Sequence, residues 1–499
     1  MFAQNLRSAS MAGVPAVAVT TTEWERIVED IRYVAANVNQ NMMLWNHIDG
    51  LMDERGESVV GPADVIGTLE YIQQTEDTFV VFLNFNVSLK SPAVIQKVRE
   101  AANVIKTTGS TMVFVSASGS IPPELEKEII LLDYDLPDKA GIAEVVSSLV
   151  EVNPADESVK ALINAAVGLT KHEAENIIAL ALAKNDMQIT EKTIEDVKKQ
   201  KAQALKKSGV LELYEPENLP KVGGLDVLKL WLWERGKAFS PEAREFGLPF
   251  PKGILVFGIP GTGKSLIAKT IAKQWNMPLL VMQNVLDKYV GESEKRMKEA
   301  LKQAEAMAPC VLFIDEIEKF FAGVGGTGDS GVSSRIFGQF LSWMQESKAP
   351  VFTVATANNI AAMPPELMRK GRFDELFFVD LPGSKEREEI FKIHLTHKGR
   401  DANNFDLKQL TDATPGYTGS EIEQIVIAGL YRAFAKGQDI TTKILLEVAK
   451  ETPPLSVTME EVIQDMREWG NKRARAASSF AEEPEKKLSA FKVARKIRG

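Results

Sequence analysis

The sequence predicts an α/β fold, and it predicts that fold twice. Three observations carry this reading. Residues 253–265, GILVFGIPGTGKS, run an apolar strand into a Gly-rich loop, and an amphipathic helix follows over 266–274. The loop satisfies G-x-x-x-x-G-K-[ST] at Gly258, Gly263, Lys264 and Ser265, the pattern of a phosphate-binding loop between strand and helix. Further on, VLFIDE at 311–316 reads as a buried strand that delivers two acids at its C-terminal end, where open parallel sheets bind ligands. Third, the chain repeats itself: SIPPELEKEIILLDYDLP at 120–137 resembles AMPPELMRKGRFDELFFVDLP at 362–382, GLTKHEAENI at 168–177 matches GYTGSEIEQI at 416–425, and ITEKTIEDVKK from Ile189 matches VTMEEVIQDMR from Val457. Three matches in one order imply two copies of an α/β domain, each followed by a small helical domain.

Composition excludes several classes. At 499 residues the chain has room for two to four domains with ordinary cores. A net charge of −9 argues against a broad electrostatic footprint on nucleic acid or an anionic membrane. The single cysteine, Cys310, leaves no internal disulfide, and His47, His172, His394 and His397 are too scattered for a metal site of familiar spacing; a reducing compartment follows. No apolar run approaches the roughly 18 residues of a membrane helix.

Taken in order, residues 1–23 hold Arg7 and a short apolar piece at 12–19, which could act as a weak targeting segment but reads as a frayed tail. From 24 to about 50 the pattern is helical, with Ile27, Ile31, Val34 and Val38 at three-to-four spacing. TFVVFL at 78–83 is a buried strand, 91–106 an amphipathic helix and 111–115 another strand, so the sheet is parallel. The expected layout is a first α/β domain over 24–140 with its helical domain over 141–208, then a second over 209–385 with its helical domain over 386–475, and a tail over 476–499. The first copy has no phosphate loop upstream of 78–83, and that strand ends in Asn84-Phe85 instead of two acids. It reads as a catalytically dead copy kept for packing or recognition.

In the second copy the glycines let backbone N–H groups turn inward on a polyphosphate, and the helix start adds its partial positive charge. Lys264 then reaches the terminal phosphates and the Ser265 hydroxyl faces Mg²⁺. Asp315 suits the Mg²⁺ shell, and Glu316 suits polarising an attacking water. VFTVATANN from Val351 is a third buried strand, with Asn358 at its tip placed to hold that water or the γ-phosphate. Arg369 and Arg372, flanking Lys370-Gly371, fit fingers that reach a neighbouring subunit's nucleotide, which makes the active protein a ring or at least a dimer.

The set GIPGTGKS, VLFIDE, Asn358, and Arg369 with Arg372 before Phe373-Asp374 resembles the AAA+ ATPases, in particular their AAA clade of ring-forming remodelling motors, over about 219–475. The resemblance implies a P-loop NTPase of AAA+ type with a small helical lid, ATP and Mg²⁺ as cofactors, and nucleotide contacts from Pro260, Gly261, Thr262, Gly263, Lys264, Ser265 and Leu266. KVGGLDVLK at 221–229 places Val222 and Gly223 in the adenine pocket, and FKIHL at 391–395 places His394 there. Gly419-Ser420 stands where the clade usually has Gly-Ala. KYVGESE at 288–294 looks like a first pore loop, with Tyr289, Val290 and Gly291 gripping a polypeptide, although an aromatic beside a glycine also serves as a local packing anchor. FAGVGGTGDSG at 321–331 matches a second pore-loop region. With MREWGNKRARAAS at 466–478, the whole chain is similar to the plastid and cyanobacterial "hypothetical chloroplast frame" AAA proteins, which implies cytoplasm or plastid stroma. The expected activity is Mg²⁺-dependent ATP hydrolysis by a ring, a hexamer in that clade, that remodels or threads an unknown protein partner. The alternative is a nucleotide-gated scaffold that hydrolyses slowly and threads nothing.

Overall fold

Strands set the architecture. The computed structural model describes residues 2–62, 64–117, 121–214, 224–282, 292–320, 330–359, 363–369 and 371–479. The chain divides into two compact units, Met1–Lys198 and Lys199–Gly499, each built on a seven-stranded sheet.

The first sheet contains β1 (Ala16–Thr20), β2 (Asn41–Asn46), β3 (Gly50–Met52), β4 (Ser58–Val60), β5 (Thr78–Leu83), β6 (Thr111–Ser116) and β7 (Ile129–Leu132), in the order β4-β3-β2-β5-β6-β1-β7. The strands expected at 78–83 and 111–115 are β5 and β6, and the helix expected between them is Pro92–Ile105. Two other expectations fail. Residues 1–23 are no tail: Phe2 and Leu6 of the helix Phe2–Met11 are buried, and β1 lies between β6 and β7, parallel to both. A five-residue strand buried on both faces shows no alternation, so its sequence carries no period to detect. The helix expected to reach residue 50 ends at Val38, where Asn39 turns left-handed, and NMMLWN enters the sheet as β2 with Trp45 fully buried.

The second sheet contains β8 (Leu211–Tyr214), β9 (Gly253–Gly258), β10 (Leu279–Met282), β11 (Cys310–Ile314), β12 (Val351–Ala357), β13 (Glu375–Val379) and β14 (Arg475–Ala476), in the order β14-β13-β9-β12-β11-β10-β8. Its central strands are apolar on both faces: Leu255 and Phe257 of β9 enter one core, Ile254 and Val256 the other. Helices Ser384–His397, Leu407–Ala413, Gly419–Ala435 and Thr442–Glu451 pack around Phe391, Leu395, Tyr417 and Leu445 as a separate small core.

The internal repeat is structural. A 3₁₀ turn, Pro123–Leu125, leads to β7, and a second, Pro365–Met368, leads to β13. Thr170 and Thr418 each close a capping box, with Glu173 and Glu421. The third match holds only in part. The Thr190 hydroxyl accepts from the Thr193 amide, but Thr458 ends a short helix, and Met459 starts the helix Glu460–Arg473 with no side-chain cap. Both sheets place five parallel strands in one order, β2-β5-β6-β1-β7 in the first and β10-β11-β12-β9-β13 in the second. The strand β1 therefore stands where β9 stands.

Candidate nucleotide site

The site is built where β9 turns into the helix Lys264–Trp275. Gly258 has φ 153°, and a Cβ there would lie 2.1 Å from the Val379 carbonyl oxygen. Gly263 opens the helix at φ 86°. Neither position accepts a side chain without strain, so the motif glycines are backbone requirements. Lys264 is only 7% exposed, and its Nζ donates to the carbonyls of Gly258 and Ile259, 2.9 Å to each. Burial pushes the amine down to about 8, against the pull of Asp315, Glu318 and Glu316. The Thr262 hydroxyl ties the loop to the Ile259 carbonyl at 2.8 Å.

Asp315 and Glu316 leave the end of β11 beside this loop. The Ser265 hydroxyl donates to Asp315 Oδ2 at 3.1 Å, so a hydroxyl and a carboxylate converge at one point. Two hard oxygen ligands fit Mg²⁺, which completes its shell with water and phosphate oxygens and seldom takes an all-protein cage. Thr356, in β12, donates its hydroxyl to Asp315 Oδ1 and accepts the Glu316 amide at 3.0 Å. Glu316 sits at φ 48°, an unusual turn for a glutamate. Asn358 Nδ2 donates to Glu316 Oε1 at 2.8 Å, and the Lys319 ammonium pairs with the same carboxylate. Lys319 holds Glu316 below the usual carboxylate range, with burial opposing. Behind them the Asn358 amide donates to Glu318 Oε1 at 2.9 Å, and the second Glu318 oxygen is buried with no hydrogen-bond partner.

Thr356, Glu318 and Lys319 were not singled out by the sequence. Thr356 had a usable signal, because it lies two residues before Asn358 in a strand and so shares its face. Glu318 and Lys319 read as an ordinary charged turn.

The helical domain closes on the loop. The Ser420 amide donates to the Gly261 carbonyl at 3.0 Å, at the start of the helix Gly419–Ala435, so Gly419 and Ser420 lie at the phosphate loop. That contact uses backbone alone. His394 lies on the helix Ser384–His397 with Nδ1 3.8 Å from Glu423, and burial lowers its pKa. One turn earlier on that helix, Glu389 accepts the Gly224 amide at 2.6 Å, so the chain just past the expected adenine segment is held to the helix of His394. Val222 and Gly223 themselves, like Tyr289, Val290 and Gly291, lie outside the described residues. Leu266 is 37% exposed on the first turn after the loop, and Pro260 is half-buried within it.

The arginines sit elsewhere. Arg372 Nη1 donates to the Glu366 carbonyl, and Arg369 is exposed. The Asp374 amide bonds the carbonyl of Gly253, the first residue of β9, whereas the phosphate loop begins past its last. A six-residue strand, about 20 Å, separates the two ends, so the structure does not bring Arg372 to the phosphate loop of its own chain.

The first unit treats the equivalent place differently. Residues 21–23 join β1 to the helix Trp24–Val38 without a glycine. Glu23 is 8% exposed; its carboxylate accepts Arg26 Nη1 at 2.7 Å and the Lys171 backbone amide at 2.6 Å. Lys171 opens the helix that follows Thr170, the counterpart of the helix opened by Gly419. A carboxylate of the chain itself thus stands at the start of the helix Lys171–Lys184, while at the head of Trp24–Val38 the same residue makes no side-chain cap.

A phosphate loop, paired acids and a helical lid on this strand order define a AAA ATPase, an ATP-hydrolysing enzyme, and the chain belongs to that family. The family model described as "ATPase family associated with various cellular activities (AAA)" matches residues 254–381. Those for the N-terminal and second domains of SpoVK-like AAA ATPases match 2–134 and 140–208. Among relatives, the uncharacterized AAA domain-containing protein ycf46 of Pyropia yezoensis is 35% identical over 96% of this chain and 99% of its own length. Its namesake in Guillardia theta is 34% identical over 94% of this chain and 95% of its own length. A cell division cycle protein 48 homolog of Archaeoglobus fulgidus is 31% identical over 68% of this chain and 52% of its own length. Among the described residues no helix is long and apolar enough to cross a membrane.

Proposed function

We propose that the chain hydrolyses Mg²⁺-ATP at sites shared between neighbouring copies in a hexameric ring, and uses turnover to remodel a protein partner. In this reading Lys264 holds the terminal phosphates, Ser265 and Asp315 hold the cation, and Glu316, oriented by Asn358, takes the water proton. Mg²⁺ would neutralise phosphate charge. Thr356 keeps both acids aimed by bonding a side chain of one and the amide of the other. Release of Glu316 from Lys319 would free its carboxylate for the water.

The single observation that carries the shared site is the position of Arg372 at the opposite end of β9 from the phosphate loop. An arginine there serves another chain's nucleotide or none. Mixing tests this. Arg372→Ala and Lys264→Met chains should each be inactive, and their mixture should recover measurable ATPase, because mixed interfaces pair an intact loop with an intact arginine. An Arg372→Ala protein that turns over ATP normally would overturn the reading. Mass measurement of the Glu316→Gln protein with ATP distinguishes hexamer from smaller ring. Threading through Tyr289, Val290 and Gly291, and a place in a plastid stroma suggested by the ycf46 relatives, are parts of the same proposal. If Tyr289→Ala leaves every partner-dependent activity intact, threading is excluded.

A further inference from the structure

A cavity of about 370 Å³ opens at the N-terminal ends of β9 and β12, the end of the sheet away from the phosphate loop. Its size falls in the range of small-molecule sites. Phe250, Trp343 and Met344 supply apolar walls, and Arg244, Lys252 and Lys348 supply cations; among the described residues no Asp or Glu lines it. The cations are available to different degrees. Arg244 lies over the Phe250 ring at 3.7 Å and donates through Nη2 to the Ala238 carbonyl, but its Nε is buried with no hydrogen-bond partner. Lys252 Nζ donates to two carbonyls, Gln345 at 3.2 Å and Gly371 at 3.1 Å, with no carboxylate in the contact. Lys348 is exposed at the rim. A buried guanidinium nitrogen without an acceptor is costly unless something supplies one.

We propose that this cavity is a second ligand site that takes a flat, apolar carboxylate of metabolite size, its ring against Phe250 and Trp343 and its carboxylate on Arg244 and Lys348. A neutral apolar ligand would leave Arg244 Nε without an acceptor; a highly charged one would desolvate without using the walls. The site also reaches the arginine segment. Lys252 holds the carbonyl of Gly371, next to Arg372, and its own backbone amide and that of Gly253 bond Asp374 Oδ2 at 2.7 and 3.0 Å. Lys252 lines the same cavity, so a carboxylate held on Arg244 and Lys348 also attracts its ammonium in competition with the Gly371 carbonyl, and occupancy alters the Arg372 segment and with it turnover. This regulatory consequence rests on the proposed role of Arg372; the binding itself does not.

The test is calorimetry on the full chain with ADP saturating the nucleotide site, using 4-phenylbutyrate as probe and 4-phenylbutanol as its neutral match. The acid should bind one per chain and at least tenfold more tightly than the alcohol. Lys348→Glu, at an exposed residue, should weaken the acid at least fivefold, and Arg244→Gln more. Equal binding of acid and alcohol, or wild-type binding by both variants, or no saturable heat, overturns the site. Saturating acid should change the ATPase rate at least twofold; binding with an unchanged rate overturns the link to Arg372. Loss of ATPase in the unliganded wild type would instead overturn the proposed function and leave the binding result standing.

Discussion

The two sheets carry one strand order and two opposite solutions to the same corner. In the second, β9 runs through five loop residues to a helix whose start is kept clear by glycine, and Lys264 waits nearby with a lowered pKa. In the first, β1 runs through three residues, and Glu23 fills the corner with its own negative charge, pairing Arg26 and the start of the lid-like helix at Lys171. One corner is built to receive an anion; the other already contains one. The difference teaches that such a corner need not stay open: a carboxylate of the chain can take the first amide of the helical domain's helix and so join it to the sheet.

The largest effect that sharpens this contrast is chemical. Glu316→Gln should bind ATP and lose at least a hundredfold in kcat, while calorimetry on that protein should find one nucleotide per chain. Two tight sites per chain would break the comparison. Next, Glu23→Ala should destabilise the first unit by about 2 kcal/mol, because Arg26 and the Lys171 amide lose a buried acceptor. Denaturant unfolding reads this, and hydrolysis per folded chain should stay within about twofold of wild type. A Glu23→Ala protein as stable as wild type would mean that the carboxylate only decorates the corner. Thr356→Val should lower kcat about tenfold with little change in KM, since it frees Asp315 and the Glu316 amide without touching the phosphate loop. The smallest effect is on pH. Lys264 loses its proton near pH 8 in the free protein, and phosphate favours the charged form, so KM for ATP should stay flat below pH 7 and rise several-fold between pH 8 and about 9.5. A flat KM over that range would remove the lysine charge from ATP binding.

Much of the second unit was legible because its signals are local. The motif 258–265, the acids after β11 and Asn358 after β12 each sit at the end of a short apolar run that reads as a buried strand, and the strands appear there. The first unit was legible in β5 and β6, which are short apolar runs, and in the turn before β7, which recurs in the repeat, and illegible at its N-terminus. AVAVT has five residues and no period, and without a glycine loop after it nothing marked it as the counterpart of β9. NMMLWN was absorbed into the preceding helix for a related reason: apolar residues continued while the register that would have separated strand from helix did not.

By itself, then, the sequence determined the chemistry of one loop, since the spacing of Gly258, Gly263, Lys264 and Ser265 is fixed by the covalent chain, and it determined that the architecture occurs twice. Tertiary structure alone decided which strand faces which acid and what fills the first unit's corner. Thr356 meets Asp315 across 41 residues, and Glu23 meets Lys171 across 148. Such pairs have no local pattern, because sheet order brings them together and the free energy that selects them is spent in the core.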